Sequence, residues 1–244
     1  FAVGTTEVIY TTTDIHGNEV SSSFLVTVTD DEAPQIADMP ADFTVSSEAG
    51  LCSGPASWAA PTSSDNCGIA DLTSTHLPGD SFAVGTTQVT YTTTDIHGNS
   101  SSASFTVTVE DLESPVVLDT PADMTLGNDA GACGAVATWA AASASDNCEV
   151  QSLTSSHASG DFFDVGSTMV TLTALDIHGN SSSTSFLVTI TDSEDPTIAG
   201  MPADMSVSAE AGLCSGTASW AAPTSSDNCG IAALTSTHMP GDSF

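Results

Sequence analysis

The chain has no lysine and no arginine to set against 31 Asp and Glu, so its 244 residues carry a formal charge of -31. Phosphate backbones are bound by Lys and Arg, so nucleic acid is excluded as a partner, and anionic membrane surfaces are repelled for the same reason. Long apolar runs are also missing. No stretch of 18 or more apolar residues occurs, so no transmembrane helix and no membrane insertion are expected. Charged residues are scarce overall, at 13% against 40% hydrophobic, which does not suit a disordered acidic tail. What is abundant is Ser and Thr, 70 residues in all, a composition that suits exposed β-sheet. A folded acidic β-protein needs something to offset its self-repulsion, and metal cations are the obvious candidates.

The sequence repeats without insertion or deletion every 81 residues. DIHGN occurs at Asp14 to Asn18, Asp95 to Asn99 and Asp176 to Asn180, SDNC ends at Cys67, Cys148 and Cys229, and PAD begins at Pro40, Pro121 and Pro202. Phe1, Phe82, Phe163 and Phe244 share one phase. Acidic stretches ending in Pro34, Pro115 and Pro196 read as linkers, because proline stiffens an entry and cannot join a central strand. Cutting there gives complete domains at 31–111 and 112–192. Residues 1–30 are then the C-terminal strands of a partial domain, and 193–244 the N-terminal part of a further one. The chain opens on Phe1 inside a strand-like pattern, so its N-terminus is expected to be internal to something larger. Two readings follow: a window of a longer tandem array, or a subunit whose C-terminal half-domain is completed by the N-terminal strands of a neighbouring copy, giving a head-to-tail filament.

Within 31–111, strand signals fall at Phe43 to Val45, Ala56 to Ala59, Ile69 to Thr75, Thr87 to Asp95 and Ser104 to Val109. Alternation puts Val89, Tyr91 and Thr93 on one face, and Phe105, Val107 and Val109 inward. IHGN is expected to be a hairpin turn in which Gly and Asn take positive φ. No segment has helical period. Six or seven short strands in about 80 residues describe an all-β fold, tandem antiparallel β-sandwiches of immunoglobulin type. A domain this small has a marginal core, and six cysteines supply reinforcement. Their spacing suggests one local disulfide per repeat: Cys52 with Cys67, Cys133 with Cys148 and Cys214 with Cys229. Each such loop contributes about 3 kcal/mol and implies an oxidising, extracellular location. Trp58, Trp139 and Trp220 are expected in the core, packed against these disulfides.

The string from Cys52 through Asp65 to Cys67, then Phe82 to Asn99, then Phe105 to Asp111, resembles the hyalin repeat (HYR) family, and its phases cover the whole chain. Leu172 stands where Tyr10 and Tyr91 stand in the other copies. The resemblance implies an immunoglobulin-like fold in tandem extracellular or cell-surface arrays, an association with adhesion, and no enzymatic activity. The residues agree on the last point. There is no G-x-S-x-G elbow, and any Ser–His–Asp set would recur in every repeat.

The acidic linkers are the first candidates for chemistry. If each linker enters beside the DIHGN turn of the next domain, Asp95 and Asn99 face Asp30 and Glu32, and Asp176 and Asn180 face Asp111 and Glu113. Asp14, Asn18, Asp192 and Glu194 hold the same phases at the two ends. Carboxylates with an amide oxygen form a hard-oxygen set suited to structural Ca²⁺, which would stiffen the junction. Asp65-Asn66 and its repeats at Asp146-Asn147 and Asp227-Asn228 read instead as braces of a turn. The histidines at 16, 97 and 178 and at 76, 157 and 238 read as exposed loop residues. Ser/Thr tracts such as Thr11 to Thr13, Ser21 to Ser23, Thr92 to Thr94 and Ser181 to Ser183 suit the polar outer face of a sandwich. Asn99 and Asn180 match the N-glycosylation acceptor pattern, whereas Asn18 does not. The expected role is an extended structural array whose partners are neighbouring repeats or copies of itself. The alternative is an adhesin whose loops bind glycans or a protein.

Overall fold

A computed structural model describes residues 1–244. It contains twenty strands and no helix, so no helix is long and apolar enough to cross a membrane. The chain divides into two compact units, Phe1–Glu113 and Ser114–Phe244.

The first unit begins with an antiparallel hairpin of β1 (Gly4–Thr13) and β2 (Glu19–Val28). A sandwich of eight strands follows: β3 (Gln35–Ala37), β4 (Phe43–Ser46), β5 (Ser53–Pro55), β6 (Thr62–Ser64), β7 (Ile69–Ser74), β8 (Ser81–Ala83), β9 (Gly85–Asp95) and β10 (Ser100–Glu110). Its main sheet runs β4-β10-β9-β7, parallel between β4 and β10 and antiparallel elsewhere; β3 pairs with β6, and β5 with β8. Two-residue alternation decides which side chains enter the core. Val89, Tyr91, Phe105, Val107 and Val109 are buried, with Ala56 and Phe82 from the facing layer. Thr93 is fully buried on the same face, and its hydroxyl donates to the Asp71 carbonyl at 3.2 Å, so burying it leaves no orphaned group.

The second unit repeats the plan with β11 (Val116–Leu118), β12 (Met124–Gly127), β13 (Gly134–Val136), β14 (Ser143–Ser145), β15 (Val150–Ser155), β16 (Phe162–Asp164), β17 (Gly166–Asp176) and β18 (Ser181–Thr191). β19 (Thr197–Ala199) and β20 (Thr224–Ser226) pair beyond it, in the segment that carries the third tryptophan. The core is Ala135, Ala137, Phe163, Val170, Leu172, Phe186, Val188 and Ile190, nearly all at the phases of the first core.

Several expectations need correction. Each repeat has eight strands rather than six or seven. Ala56 to Ala59 form no strand; pairing falls instead at Ser53–Pro55, where Gly54 lies so close to the chain that a Cβ would sit 2.5 Å from the Ser46 carbonyl oxygen. Trp58 packs among aromatic rings rather than on a disulfide, with Phe105 edge-on at 5.2 Å and Phe43 and Phe82 at 6.4 and 6.1 Å. Trp139 repeats this with Phe186 at 5.1 Å and Phe163 at 6.0 Å. Tyr91 has a polar role that its replacement Leu172 cannot take: its hydroxyl accepts the Trp58 indole N–H at 2.9 Å.

Candidate metal centre

The β9–β10 turn is built around Asp95. One carboxylate oxygen accepts the backbone N–H groups of His97 and Asn99 at 2.8 and 2.9 Å, and the other accepts Asn99 Nδ2 at 2.7 Å. Gly98 alone takes the positive φ, 98°, so the expectation that Asn99 shares it is wrong. Asn99 is needed for its amide instead. The carboxylate is almost wholly buried, which by itself raises its pKa; the hydrogen bonds from Asn99, His97 and Gly98 outweigh burial and hold it below the ordinary value. Asp176 with Asn180 repeats the turn at 2.8 Å and is shifted down by the same balance. Asp14 with Asn18 repeats it in the exposed hairpin, with the Asn18 amide the main cause of a lowered value.

The linker after β2 lies along this turn, as the sequence suggested. The second Asn99 Nδ2 hydrogen goes to the Asp30 carbonyl at 3.0 Å, His97 Nδ1 lies 3.0 Å from Asp30 Oδ2, and the Ser101 hydroxyl donates to the Pro34 carbonyl. A third carboxylate, assigned from the sequence only to a turn, completes the group. Asp65 does brace its turn, with Oδ2 accepting from Cys67 N–H at 2.8 Å and Gly68 N–H at 3.2 Å. Its other oxygen is buried and has no hydrogen-bond partner. One oxygen each from Asp30, Asp65 and Asp95 lies within 4.8 Å of the other two. The signal for Asp65 was available: the acidic phrase recurs at one phase, directly before a cysteine whose position must be fixed.

The remaining candidates are placed as follows. Glu32 donates its N–H to Asp30 Oδ1 at 3.3 Å, and its side chain is exposed. Asp111 is buried, accepts from Glu113 N–H at 3.2 Å, and lies 3.5 Å from the Ser47 hydroxyl. The Glu113 carboxylate accepts from Gly50 N–H at 2.8 Å, and Glu194 from Gly131 N–H at 2.8 Å, so both reach the turn ahead of the first cysteine of the preceding repeat. Asp192 accepts from Glu194 N–H at 3.2 Å.

The cysteines contradict the expected pairing. Cys133 bonds Cys229, 96 residues away, with Cα atoms 4.7 Å apart. Cys52 and Cys148 are each disulfide-bonded, while Cys67 and Cys214 are free thiols. None of the pairs Cys52–Cys67, Cys133–Cys148 and Cys214–Cys229 therefore forms. The physical reason lies in the turns. The Asp227 carboxylate accepts the Cys229 N–H at 2.9 Å and holds that cysteine where it meets Cys133, the first cysteine of the repeat before. Asn228 Nδ2 donates to the Ala132 carbonyl at 2.8 Å beside the Cys133–Cys229 bond, fastening the same contact. Burial raises the pKa of the Cys67 thiol, and the negative charges of Asp30, Asp65 and Asp95 raise it further.

The geometry has tandem copies joined through the linker, and sequence comparison identifies them. The HYR domain profile matches residues 29–109 and again 110–190. The chain belongs to the HYR domain family. Hyalin of Strongylocentrotus purpuratus is 35% identical over 254 aligned residues, which take in 100% of the chain and 21% of that protein. Hyalin of Lytechinus variegatus is likewise 35% identical, with 48% of its length covered. The chain therefore spans about a fifth and about half of these two relatives. A mouse protein with sushi, von Willebrand factor type A, EGF and pentraxin domains is 38% identical over 114 residues, 45% of the chain and 3% of that protein. Among solved structures, a protocadherin gammaB7 EC3-6 fragment aligns over 83% of the chain and 62% of its own at 17% identity, with a TM-score of 0.36, too low to carry an argument. As a disulfide-linked HYR chain, this is an extracellular protein with tandem immunoglobulin-like repeats.

Proposed function

We propose that these HYR repeats form a structural extracellular array whose junctions are stiffened by calcium. The observation that supports this is the meeting of Asp30, Asp65 and Asp95 within 4.8 Å, with one buried Asp65 oxygen lacking a hydrogen-bond partner, in a chain without a single Lys or Arg. Three carboxylates are a hard donor set, and Ca²⁺ takes six to eight oxygens at flexible geometry, so the Asp30 and Glu32 region and solvent can complete its shell. Asp30, Cys67 and His97 form a second group at the same place, with donors suited to a softer ion. Cys148, at the phase of Cys67, is already held in a disulfide and offers no thiolate, so the donor set that persists along the array is the carboxylate one.

The bound ion would neutralise the local repulsion of the three acids and tie the hairpin β1–β2, through Asp30, to the sandwich that holds Asp65 and Asp95. The test is a calorimetric titration of the chain with Ca²⁺ alongside Asp65→Asn, with thermal unfolding in parallel. Heat of binding with stabilisation in the wild type, both weakened in the variant, supports the proposal. No heat and no change in unfolding at millimolar Ca²⁺ removes the calcium reading.

A further inference from the structure

In a chain of net charge -31, the outer face of the sheet β12-β18-β17-β15 carries no charge. The one acid in its four strands is Asp176, which is buried and committed to its turn. On the two central strands, β17 and β18, the outward positions are hydroxyl side chains apart from Met169, Leu175 and Leu187. Met169 and Leu187 stand opposite each other in the register and are 63% and 38% exposed. The matching sheet of the first sandwich, β4-β10-β9-β7, is different at the same phases. It has Gln88 opposite Thr106, Thr94 in place of Leu175, and the exposed acids Asp71 and Glu110 in place of Ser152 and Thr191. All five of these differences leave the second sheet less polar or less charged, and all five lie on one face.

Charge decides what such a face can receive. A cationic partner would be drawn to the acidic turns and linkers, not to the one sheet face that has no acid. Two copies of this chain repel wherever their acids meet, and neither has a Lys or Arg to offer the other. The exception is this face against itself, since a two-fold contact sets the same patch on both partners and puts no outward carboxylate opposite another. An acid does stand at the rim, where Asp123 Oδ1 accepts the Leu187 N–H at 2.7 Å, so some repulsion remains for salt to screen. The strands have 4, 11, 11 and 6 residues, and at ~3.3 Å rise and ~4.8 Å spacing they cover about 500 Å² on each copy. The pair then buries about 1,000 Å², the low end for a specific contact. One face therefore supports weak docking, which repetition along an array strengthens through effective concentration.

We propose that the outer face of β12-β18-β17-β15 docks side by side on the same face of a second copy of this chain, with Met169 and Leu187 in the contact. The proposal rests on the array reading and not on its calcium. Stacked sheets lie about 10 Å apart, a gap that short hydroxyl side chains and these two larger apolar ones fill. Burying the hydroxyls needs no partner from the other copy where they already pair across strands, as Ser167 and Thr189 do at 3.0 Å. Specificity comes from what the first sandwich retains on its own sheet, since Asp71 and Glu110 would each be brought against an uncompensated surface.

The test uses the 244-residue chain in EDTA with its free thiols alkylated, so that neither calcium nor a new disulfide contributes and failure of the calcium reading leaves the outcome untouched. Sedimentation equilibrium is expected to show reversible self-association that tightens as ionic strength rises from about 0.01 to 0.15 M and the Debye length falls from about 30 to 8 Å. Met169→Gln/Leu187→Thr installs the residues that the first sandwich carries at these phases, so the fold accommodates them. It is expected to weaken association at least about tenfold. Ser152→Asp/Thr191→Glu restores the two acids and is expected to abolish it at low salt. Ser57→Asp/Thr138→Asp adds the same charge at exposed positions outside the face and is expected to change it little. Peroxide oxidation of Met169 is expected to slow at concentrations where the chain associates. Chains that stay monomeric at every ionic strength overturn the proposal. So does association that weakens with salt, or that Met169→Gln/Leu187→Thr leaves unchanged.

Discussion

The long disulfide makes a stability prediction that separates it from the local pairing. Removing the Cys133–Cys229 bond with the double variant Cys133→Ser/Cys229→Ser reopens a loop spanning 96 residues of sequence. On the chain-entropy account a loop of that size contributes about 4.7 kcal/mol, against about 3 kcal/mol for a 15-residue loop. Segment 193–244 has little else to hold it, namely the three-residue pair β19–β20, one bridge between Thr217 and Ser243, and the contacts beside the disulfide. The lost constraint is therefore expected to appear as local opening of this segment, increased about a thousandfold. Native-state proteolysis with Glu-C, which cuts after Glu210, reads that opening when closing is faster than cleavage. Cys214→Ser serves as the control and is expected to change nothing, because Cys214 is free. A cleavage rate raised equally by Cys214→Ser would refute the reasoning. A wild-type Asp-N map joining peptide 204–226 to peptide 227–241 would do the same.

Three further outcomes follow from individual contacts. Tyr91→Phe removes the acceptor of the Trp58 indole N–H, and a urea melt is expected to show a loss of about 1–3 kcal/mol. In EDTA, the stability difference between the wild type and Asp95→Asn is expected to be fully present above about pH 4, the unfolded carboxylate value. It should shrink as pH falls through the lower folded value of Asp95, since a depressed pKa stabilises only where the group is ionised; paired denaturation curves across that range would show it. Asn99 matches the glycosylation pattern, yet both Nδ2 hydrogens are donated, to Asp95 and to the Asp30 carbonyl, and a glycan would replace one of them. Intact mass of protein secreted from a glycosylating host is expected to show Asn99 unmodified.

Some of this was legible in the residues, and some could not have been. The 81-residue phase and the inward faces of β9 and β10 are visible because an eleven-residue strand gives alternation enough turns to register. Strands β3, β6 and β8 have three residues each, too few for a period, and exist because a partner strand recruits them. The strand expected around Trp58 was displaced to Ser53–Pro55, where a glycine lets two backbone segments approach. The disulfide register is a deeper failure. In an exact repeat the first cysteine sees the same second cysteine 15 and 96 residues away, and composition cannot distinguish them. Loop-closure entropy favours the nearer, but it rises only slowly with length, so local turn geometry decides. Asp65 was assigned to its turn correctly, but only one of its two oxygens is spent there.

How such a chain folds without one basic side chain can be followed acid by acid. Asp95 and Asp176 take backbone N–H groups and an Asn amide, Asp80 and Asp161 take the N–H of Leu77 and Ala158, and Asp42 and Asp123 take the N–H of Thr106 and Leu187. Glu113 and Glu194 each receive a glycine N–H. The charge on these carboxylates is thus met by fixed dipoles, which stabilise a carboxylate without introducing a second ion to desolvate. This arrangement works where acids are separated, because each turn supplies its own donors. It breaks down where Asp30, Asp65 and Asp95 converge, since the local N–H groups are already committed and one buried oxygen remains unserved. The repeat therefore concentrates its unmet electrostatic demand at the linker, beside Cys67, the cysteine phase that elsewhere joins one repeat to the next. A cation at that point would act on the hinge between consecutive repeats, the degree of freedom that a disulfide of the Cys133–Cys229 kind constrains elsewhere in the chain. Loss of either alone is accordingly expected to loosen the hinge less than loss of both, and a Ca²⁺-dependence that grows after reduction of the disulfides would be the signature of that coupling.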